Sequence, residues 1–432
     1  MSKLVITGLG AVTPIGIGTD NFWQGIMNRE CGIETVPSLV ESDAAIQIAG
    51  IVKGFNPSDY MSGKLAKETS TFIQYAYAAA DEALEDSRFD VEADHDRIGI
   101  VMATALTGIA DIAQTQEEYS ASTKKKVSPR FLPKVLGNLG AAQVAIAHGI
   151  HGPSFTVTTA CSSGGDAISI ASMLIKSGEA DAILVIGGES AQCPILMSTL
   201  AQAKALSKNP DPKAACRPYD IDRDGFVMAE GGGAILIESE EHALNRNAHI
   251  YAELEGYANT SDGYHVTAPR PDGSGSVECM KLALAKAGLK PEDIDYINTH
   301  GTSTPVGDIA ECRAIKALYG ITETDDCNTE GTDECSTDSK SREELMSVIP
   351  PVSSTKGNTG HMMGAGGITE VIACIKAIET GILPPTLNCN TPDPQCDLDF
   401  VADGPRKADI KVAMSNALGF GGQNSSIIVR KY

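Results

Sequence analysis

Ser154-Phe-Thr-Val-Thr-Thr-Ala-Cys-Ser-Ser-Gly-Gly-Asp166 decides how this chain is read. The β-rich run Phe155 to Val157 stops at two threonines, and Cys161 falls on the turn that follows. Small residues come next, then a helical pattern through Ile168, Ala171, Leu174 and Ile175. The stretch predicts a strand, a turn and a helix, with a thiol at the helix's first turn and little side-chain bulk around it. Helix N-termini favour negative charge, so a thiol placed there is expected to ionise more readily. The competing reading is a cysteine that merely packs, and the rest of the chain decides between them.

At 432 residues the chain has room for two core-bearing halves or one large domain. It is 42% hydrophobic and only 5% aromatic, with 43 glycines, which suits closely packed α/β layers. No window approaches the roughly 18 unbroken apolar residues of a membrane span. The start, Met1-Ser-Lys-Leu-Val-Ile, runs straight into a strand pattern, so no secretory leader is expected. Eleven cysteines without a Cys-x-x-Cys pair argue against a disulfide framework or a zinc site, and for a reducing cytoplasm. A net charge of −22 would repel a nucleic acid. Lys64 and Lys67, then Lys124, Lys125, Lys126 and Arg130, still group basic charge locally. Screening acts over about 8 Å, so such a patch can hold an acidic partner despite the overall sign.

Strand-like runs alternate with amphipathic patterns from end to end, which predicts an α/β architecture. Strands are expected at Leu4–Thr7, Ile98–Met102, Phe155–Val157, Ala182–Ile186, Ala234–Ile237, Tyr251–Gly256, Tyr296–Asn298, Pro351–Ser353, Val412–Asn416 and Ser426–Val429. Helices are expected at Lys67–Leu84, Lys134–His148, Gly164–Ser177, Ser274–Ala287, Asp308–Leu318 and Gly367–Glu379. The turn after Phe155–Thr159 and the turn after Pro351–Thr355 each open on small residues and lead into a helix. They read as one duplicated βα unit, with a thiol in the first copy and an imidazole in the second. The halves are expected to divide near residue 250, as 1–250 and 251–432. Residues 322–344 carry nine acids and almost no apolar content, and are expected to form an exposed inserted loop.

Three more segments carry chemistry. His300 lies in Asn298-Thr-His-Gly-Thr-Ser-Thr304, where a short strand ends and Thr302 and Thr304 offer hydroxyls. Lys356 and His361 share Ser353-Ser-Thr-Lys-Gly-Asn-Thr-Gly-His361, another strand-to-helix turn. Leu418-Gly-Phe-Gly-Gly-Gln-Asn424 is a glycine-dense turn whose N–H groups can face a cavity. A lone histidine in such a loop usually just makes a structural hydrogen bond. One cysteine and two histidines at strand ends, where ligands bind in open α/β sheets, point instead to a thiol nucleophile with two neutral imidazole donors. Two other motifs fail on context. Gly8-Leu-Gly10 follows a strand, but Thr13-Pro14 block the helix of a dinucleotide fold. Ser353-x-x-Lys356 lacks the companion motifs of the penicillin-binding enzymes.

On these residues the chain resembles the elongating β-ketoacyl-[acyl-carrier-protein] synthases, most nearly synthase II. Six segments occur in that family's order: Ile6-Thr-Gly-Leu-Gly-Ala-Val-Thr-Pro14, Thr159-Ala-Cys-Ser-Ser163, Arg217-Pro-Tyr-Asp-Ile-Asp-Arg-Asp-Gly225 onward to Gly231, His300 to Thr304, Lys356 with Gly360-His361, and Gly419-Phe-Gly-Gly422. The resemblance implies a thiolase-like five-layer αβαβα fold made of two halves, usually in a homodimer. It implies that Cys161 is acylated and that His300 and His361 promote decarboxylation. It further implies that Lys356 belongs to the active site, that Glu370 holds it, and that Phe420 gates the site and joins Cys161 in an oxyanion hole. Thr302 and Thr304 would lie near the malonyl group and Leu106 in the acyl pocket. The six basic residues would meet the acyl carrier protein, which brings its own phosphopantetheine, so neither cofactor nor metal is expected.

The alternatives differ at named residues. A thiolase would carry a second catalytic cysteine near Gly419-Phe-Gly-Gly422, and an initiating synthase would have Asn where His361 stands. A chain-length factor would lack the nucleophile. A ketosynthase of a type II polyketide or specialised lipid pathway remains open, since Ala417, Leu418 and Gln423 depart from the family's usual residues around the gate.

Overall fold

A computed structural model describes residues 3–321 and 342–432. Ten strands carry the architecture: β1 (Leu4–Thr13), β2 (Ile98–Ala103), β3 (Ser154–Val157), β4 (Ala182–Glu189), β5 (Gly231–Ser239), β6 (Ala252–Ser261), β7 (Tyr296–Asn298), β8 (Val352–Ser353), β9 (Val412–Gly419) and β10 (Gln423–Lys431). With the short strand Gly16–Ile17, which pairs with β1, they form a single eleven-stranded sheet in the order β8-β7-β9-β10-β6-β1-β5-β4-β2-β3. The two halves of that order match. Outward from the centre, the first reads β1-β5-β4-β2-β3 and the second β6-β10-β9-β7-β8, each strand five places on. In both, the three outer strands are parallel and the inner ones antiparallel. The halves join where Val5 and Ile6 pair with Glu253 and Ala252.

Six long helices complete the layers: α1 (Thr71–Ser87), α2 (Asn138–His148), α3 (Ser163–Lys176), α4 (Ser274–Ala287), α5 (Pro305–Leu318) and α6 (Met363–Thr380). α3 and α6 pack on each other and on strands of both halves, so they lie between the two sheet faces. α1 and α2 cover the outer face of the first half, and α4 and α5 that of the second. The resulting order is helix, sheet, helix, sheet, helix. Residues Met363 to Ile378 of α6 are all buried, as its near-continuous apolar sequence requires of a central helix. At the crossing, a Cβ on Gly164 would stand 2.9 Å from the Ile368 nitrogen and 3.1 Å from the Gly364 oxygen, so only glycine admits this approach.

All ten expected strands are present, with longer bounds at several ends. β1 runs on to Thr13, so Gly8 and Gly10 lie inside a strand rather than after one. A Cβ there would come within 2.2 Å of the Ala83 oxygen and 2.0 Å of the Ala79 oxygen, so these glycines let α1 lie on the sheet. Two expected helices are divided. Lys67 belongs to a separate short helix, Gly63–Glu68, capped by Ser62, and α1 starts only at Thr71. Lys134 lies in Phe131–Val135, and extended backbone at Leu136 precedes α2. Helices at Thr19–Met27, Ile109–Ala121 and Pro194–Gln202 were not expected. Of the acidic segment, residues 322–341 lie outside the described residues, while Glu343 and Glu344 sit in a short helix, Arg342–Ser347, instead of a loop. No helix among the described residues is long and apolar enough to cross a membrane.

Candidate active site

The matched strand order brings the chemical turns to one edge. β3 and β8 are the outermost strands of the two halves, and each ends where its helix begins: β3 at Cys161 before α3, β8 at Lys356 and His361 before α6. β7, beside β8, ends at His300. The β9–β10 turn supplies Phe420. A sulfur or nitrogen atom of Cys161, His300 and His361 lies within 4.8 Å of each of the others. The two imidazoles stand edge to face, with centroids 5.3 Å apart at 84°, and Phe226 packs on His361 in the same way.

Cys161 sits in a single turn of 3₁₀ helix, Ala160–Ser162, just ahead of α3. Ala160 holds a positive φ of 52°, a conformation uncommon for a residue with a Cβ. The expectation of an acidified thiol is not met. Burial pushes Cys161 up to about 11, outweighing the lowering by the Lys356 ammonium and by the Phe420 N–H directed at the sulfur. Desolvation of a sulfur only 6% exposed exceeds what a helix start can offer. The same burial, with Lys356 close by, holds His300 and His361 well below the ordinary imidazole value, so both are neutral near pH 7. Nδ1 of His300 and both ring nitrogens of His361 have no hydrogen-bond partner, an arrangement buried polar groups rarely keep unless something is to be bound.

Lys356 is 2% exposed; its Nζ donates to the His300 main-chain oxygen at 2.6 Å and to Glu370 Oε1 on α6. Thr302 and Thr304 share a hydrogen bond of 3.1 Å between their hydroxyls. A cavity of about 290 Å³ opens beside these groups, lined by Cys161, His300, His361, Thr302, Thr304 and Phe420 among others. Leu106 does not line it, but packs with Cys161, Met197, Leu200 and Phe226 in an apolar cluster behind the sulfur. Of the basic residues, Lys67, Lys126 and Arg130 face one groove of about 440 Å³, with Arg130 also 3.3 Å from Glu68. Lys64 is exposed on the same short helix as Lys67. Lys125, also exposed, folds back on the end of the Ile109–Ala121 helix, donating to the Tyr119 and Ser120 oxygens at 2.9 Å, while Lys124 stands in solvent away from the groove's lining.

Several contributing residues escaped sequence reading. Glu311 on α5 accepts the His300 and Gly301 N–H groups at 2.7 and 2.8 Å and the Tyr219 hydroxyl at 2.9 Å. Glu189, ending β4, accepts from the Thr104 hydroxyl at 3.0 Å and from the Ala105 N–H. Burial raises both carboxyls to about 7. Lys204 lines the cavity and is exposed. An αL backbone (φ 56°) there left no sequence signal beyond its charge.

A buried thiol, two neutral imidazoles and an N–H aimed at the sulfur lie between the duplicated sheet halves of a thiolase-fold enzyme. The family model described as the N-terminal domain of beta-ketoacyl synthase matches residues 1–243, and that of the C-terminal domain matches residues 251–332 and 334–390. The chain belongs to the β-ketoacyl synthase family. It is 39% identical over 432 residues to 3-oxoacyl-[acyl-carrier-protein] synthase 2 of Synechocystis sp., covering all of this chain and 98% of that one. With the synthase 2 of Rhizobium meliloti it is 41% identical over 443 residues, covering 100% and 99%. Among solved structures it is similar to a β-ketoacyl synthase from Burkholderia phymatum (TM-score 0.85, 29% identity, all of both chains). It is also similar to a type II PKS acyl-carrier protein in complex with its ketosynthase bound to the hexaketide (TM-score 0.86, 30% identity, all of both chains).

Proposed function

We propose that this chain condenses malonyl-acyl-carrier protein with an acyl group held on Cys161, with loss of CO₂, giving 3-oxoacyl-acyl-carrier protein in fatty acid elongation. The observation that carries the reading is the approach of one sulfur and two unpartnered neutral imidazoles within 4.8 Å of one another beside a cavity. In the first half-reaction the Cys161 sulfur attacks the carrier thioester, the thiol proton passes to the leaving carrier sulfur, and the acyl group stays on the enzyme. With the thiol near 11, the free thiolate is scarce at pH 7, so deprotonation must accompany attack. His361, with both ring nitrogens free, is proposed to assist that transfer modestly. The N–H groups of Cys161 and Phe420 stabilise the tetrahedral oxyanion, a donor of this kind being worth about 3 kcal/mol.

In the second half-reaction the malonyl carboxylate leaves as CO₂ and its bonding electrons form the enolate. Neutral His300 and His361 donate to the enolate oxygen, a role an unprotonated pair can fill and a charged pair would pay for in desolvation. The enolate carbon attacks the Cys161 thioester, the sulfur leaves and takes a proton, and the chain is two carbons longer. Thr302 and Thr304 are proposed to hold the malonyl carboxylate, and Leu106 to line an acyl pocket formed within the apolar cluster around Cys161 rather than in the cavity itself. No step calls for a metal or redox cofactor, and the phosphopantetheine arm arrives with the carrier.

The carrier is proposed to dock at the groove of Lys67, Lys126 and Arg130, with Lys64 and Lys124 at its margin. The halves 1–250 and 251–432 are proposed as the two structural units. A homodimer is proposed on the ground that β3 is an edge strand carrying Phe155 at 51% exposure, which a second copy would pair and cover. A cytoplasmic setting suits nine free cysteines among the described residues. Likeness to a type II PKS ketosynthase favours a second reading, a polyketide or specialised lipid pathway in which a chain-length factor replaces one copy. Incubation with malonyl-carrier and acyl-carriers of graded length, with products identified by mass spectrometry, tests both. Single two-carbon extensions followed by arrest support elongation. Unreduced poly-β-ketone products support the second reading, and no product with any acyl-carrier refutes both.

A further inference from the structure

His95, Asp96 and His151 meet at the sheet edge opposite Cys161. His95 and Asp96 precede β2 and His151 precedes β3, and these strands are parallel, so the three lie at the strands' starting ends, about 20 Å of strand from the thiol's edge. The backbone fixes their approach: the His151 N–H donates to the His95 oxygen at 2.8 Å, and the Gly152 N–H to the Ile98 oxygen at 3.0 Å. One ligand atom of each side chain lies within 4.8 Å of the other two. Asp96 Oδ1 stands 2.9 Å from His95 Nδ1 and 3.5 Å from His151 Nδ1. His95 Nδ1 is shielded from solvent and has no hydrogen-bond partner, only this ionic neighbour.

We propose that His95, Asp96 and His151 bind a divalent transition-metal ion, zinc in the first instance. Zn–N and Zn–O bonds of about 2.0–2.2 Å place two ligands of a tetrahedral ion about 3.3 Å apart, and the observed separations bracket that value. Two imidazoles with one carboxylate form a donor set preferred by zinc and copper over magnesium or calcium. Asp96 and His151 face solvent, which leaves a coordination position for water. The cysteine spacing that argued against a zinc site has no bearing on a site that uses none. Bound zinc would tie the segment before β2 to the one before β3, and so stabilise the folded state in proportion to its occupancy.

Calorimetric titration of the full chain with ZnCl₂ tests this, in excess Mg²⁺ and with Cys161 first alkylated by iodoacetamide so that the catalytic trio does not compete. One site is expected, weakened at least tenfold in His151→Ala and in His95→Ala. The thermal midpoint should rise with zinc in the parent and not in the variants. Cu²⁺ should give an electron paramagnetic resonance spectrum with splitting from two nitrogens that either variant reduces. Equal zinc affinity in parent and variants, or zinc binding abolished by excess Mg²⁺, overturns the proposal. Neither result bears on the condensation reading, because the site lies apart from the trio.

Discussion

Lys356 Nζ donates at 2.6 Å to the main-chain oxygen of His300, the residue whose side chain faces Cys161, and the same ammonium pairs with Glu370. One buried cation thus fixes the turn that carries the first imidazole and lowers the basicity of both. Replacing Lys356 by Met leaves Glu370 buried without its counter-charge, which typically costs about 3–5 kcal/mol. The Glu370 carboxyl is already raised by burial, so it would take up a proton and recover part of that. Lys356→Met is therefore expected to melt well below the parent, and Lys356→Met with Glu370→Gln to regain most of the loss while decarboxylation stays impaired. Thermal denaturation and CO₂ release check the two halves of this statement. A double variant as unstable as the single one would show that the pair is not the relevant unit.

The thiol of Cys161 makes a separate prediction. Raised to about 11 by burial, it should react with iodoacetamide about tenfold faster per pH unit from pH 7 to 9, with no plateau. A thiol activated by the helix start alone would level off below pH 8. Lys356→Met removes the cation that lowers this thiol, so alkylation at pH 8 should slow further. Levelling of the parent's rate near neutrality would contradict the burial argument.

Reading along the chain recovered what local sequence controls. Most of the ten strands are runs buried on both faces, the edge strand β3 excepted, and Cys161, His300 and His361 stand in turns rich in Gly, Ser and Thr. Glu311 and Glu189 were not legible, because an acid on a helix or at a strand end looks like a solvated residue until its long-range donors are known. Here the distant donors are the Tyr219 hydroxyl, 92 residues from Glu311, and the main chain of Ala105, 84 residues from Glu189. The helix Ile109–Ala121 was missed for a related reason. It has no fully buried residue, so its apolar periodicity is weak. The thiol's ionisation was misjudged because the helix start is visible in sequence and the depth of burial is not.

Glu189 links folding to pH with a definite sign. Its carboxyl is raised from 4.5 to about 7, so the folded protein keeps a proton that the unfolded chain has released. The stability this contributes is complete below pH 4.5 and is lost as pH rises through 7, a swing of roughly 3 kcal/mol for a shift of this size. Glu189→Gln removes the charge and sets its amide where Glu189 Oε2 has no partner. The variant should gain thermal stability relative to the parent as pH is raised from 5 to 8. A difference that is constant across that range would mean Glu189 is ionised throughout.

Loss of His361 should weigh unequally on the two half-reactions. His300 is tethered on both sides, its N–H donating to Glu311 at 2.7 Å and its carbonyl accepting from Lys356, whereas His361 presents both ring nitrogens without a partner. His361→Ala removes one of the two proposed enolate donors but leaves the sulfur and the Phe420 N–H in place. Acylation of Cys161 is then expected within about tenfold of the parent, while malonyl decarboxylation falls about 10²–10³-fold, the usual effect of deleting one such donor. Mass spectrometry of the acyl-enzyme after rapid quenching reads the first step, and labelled CO₂ release reads the second. His361→Asn restores a neutral N–H donor without an imidazole, so it should recover part of the decarboxylation and none of any proton relay to the carrier sulfur. If His361→Ala slows acylation as much as decarboxylation, the relay rather than enolate binding is its main task, and His300 alone holds the carbanion's charge.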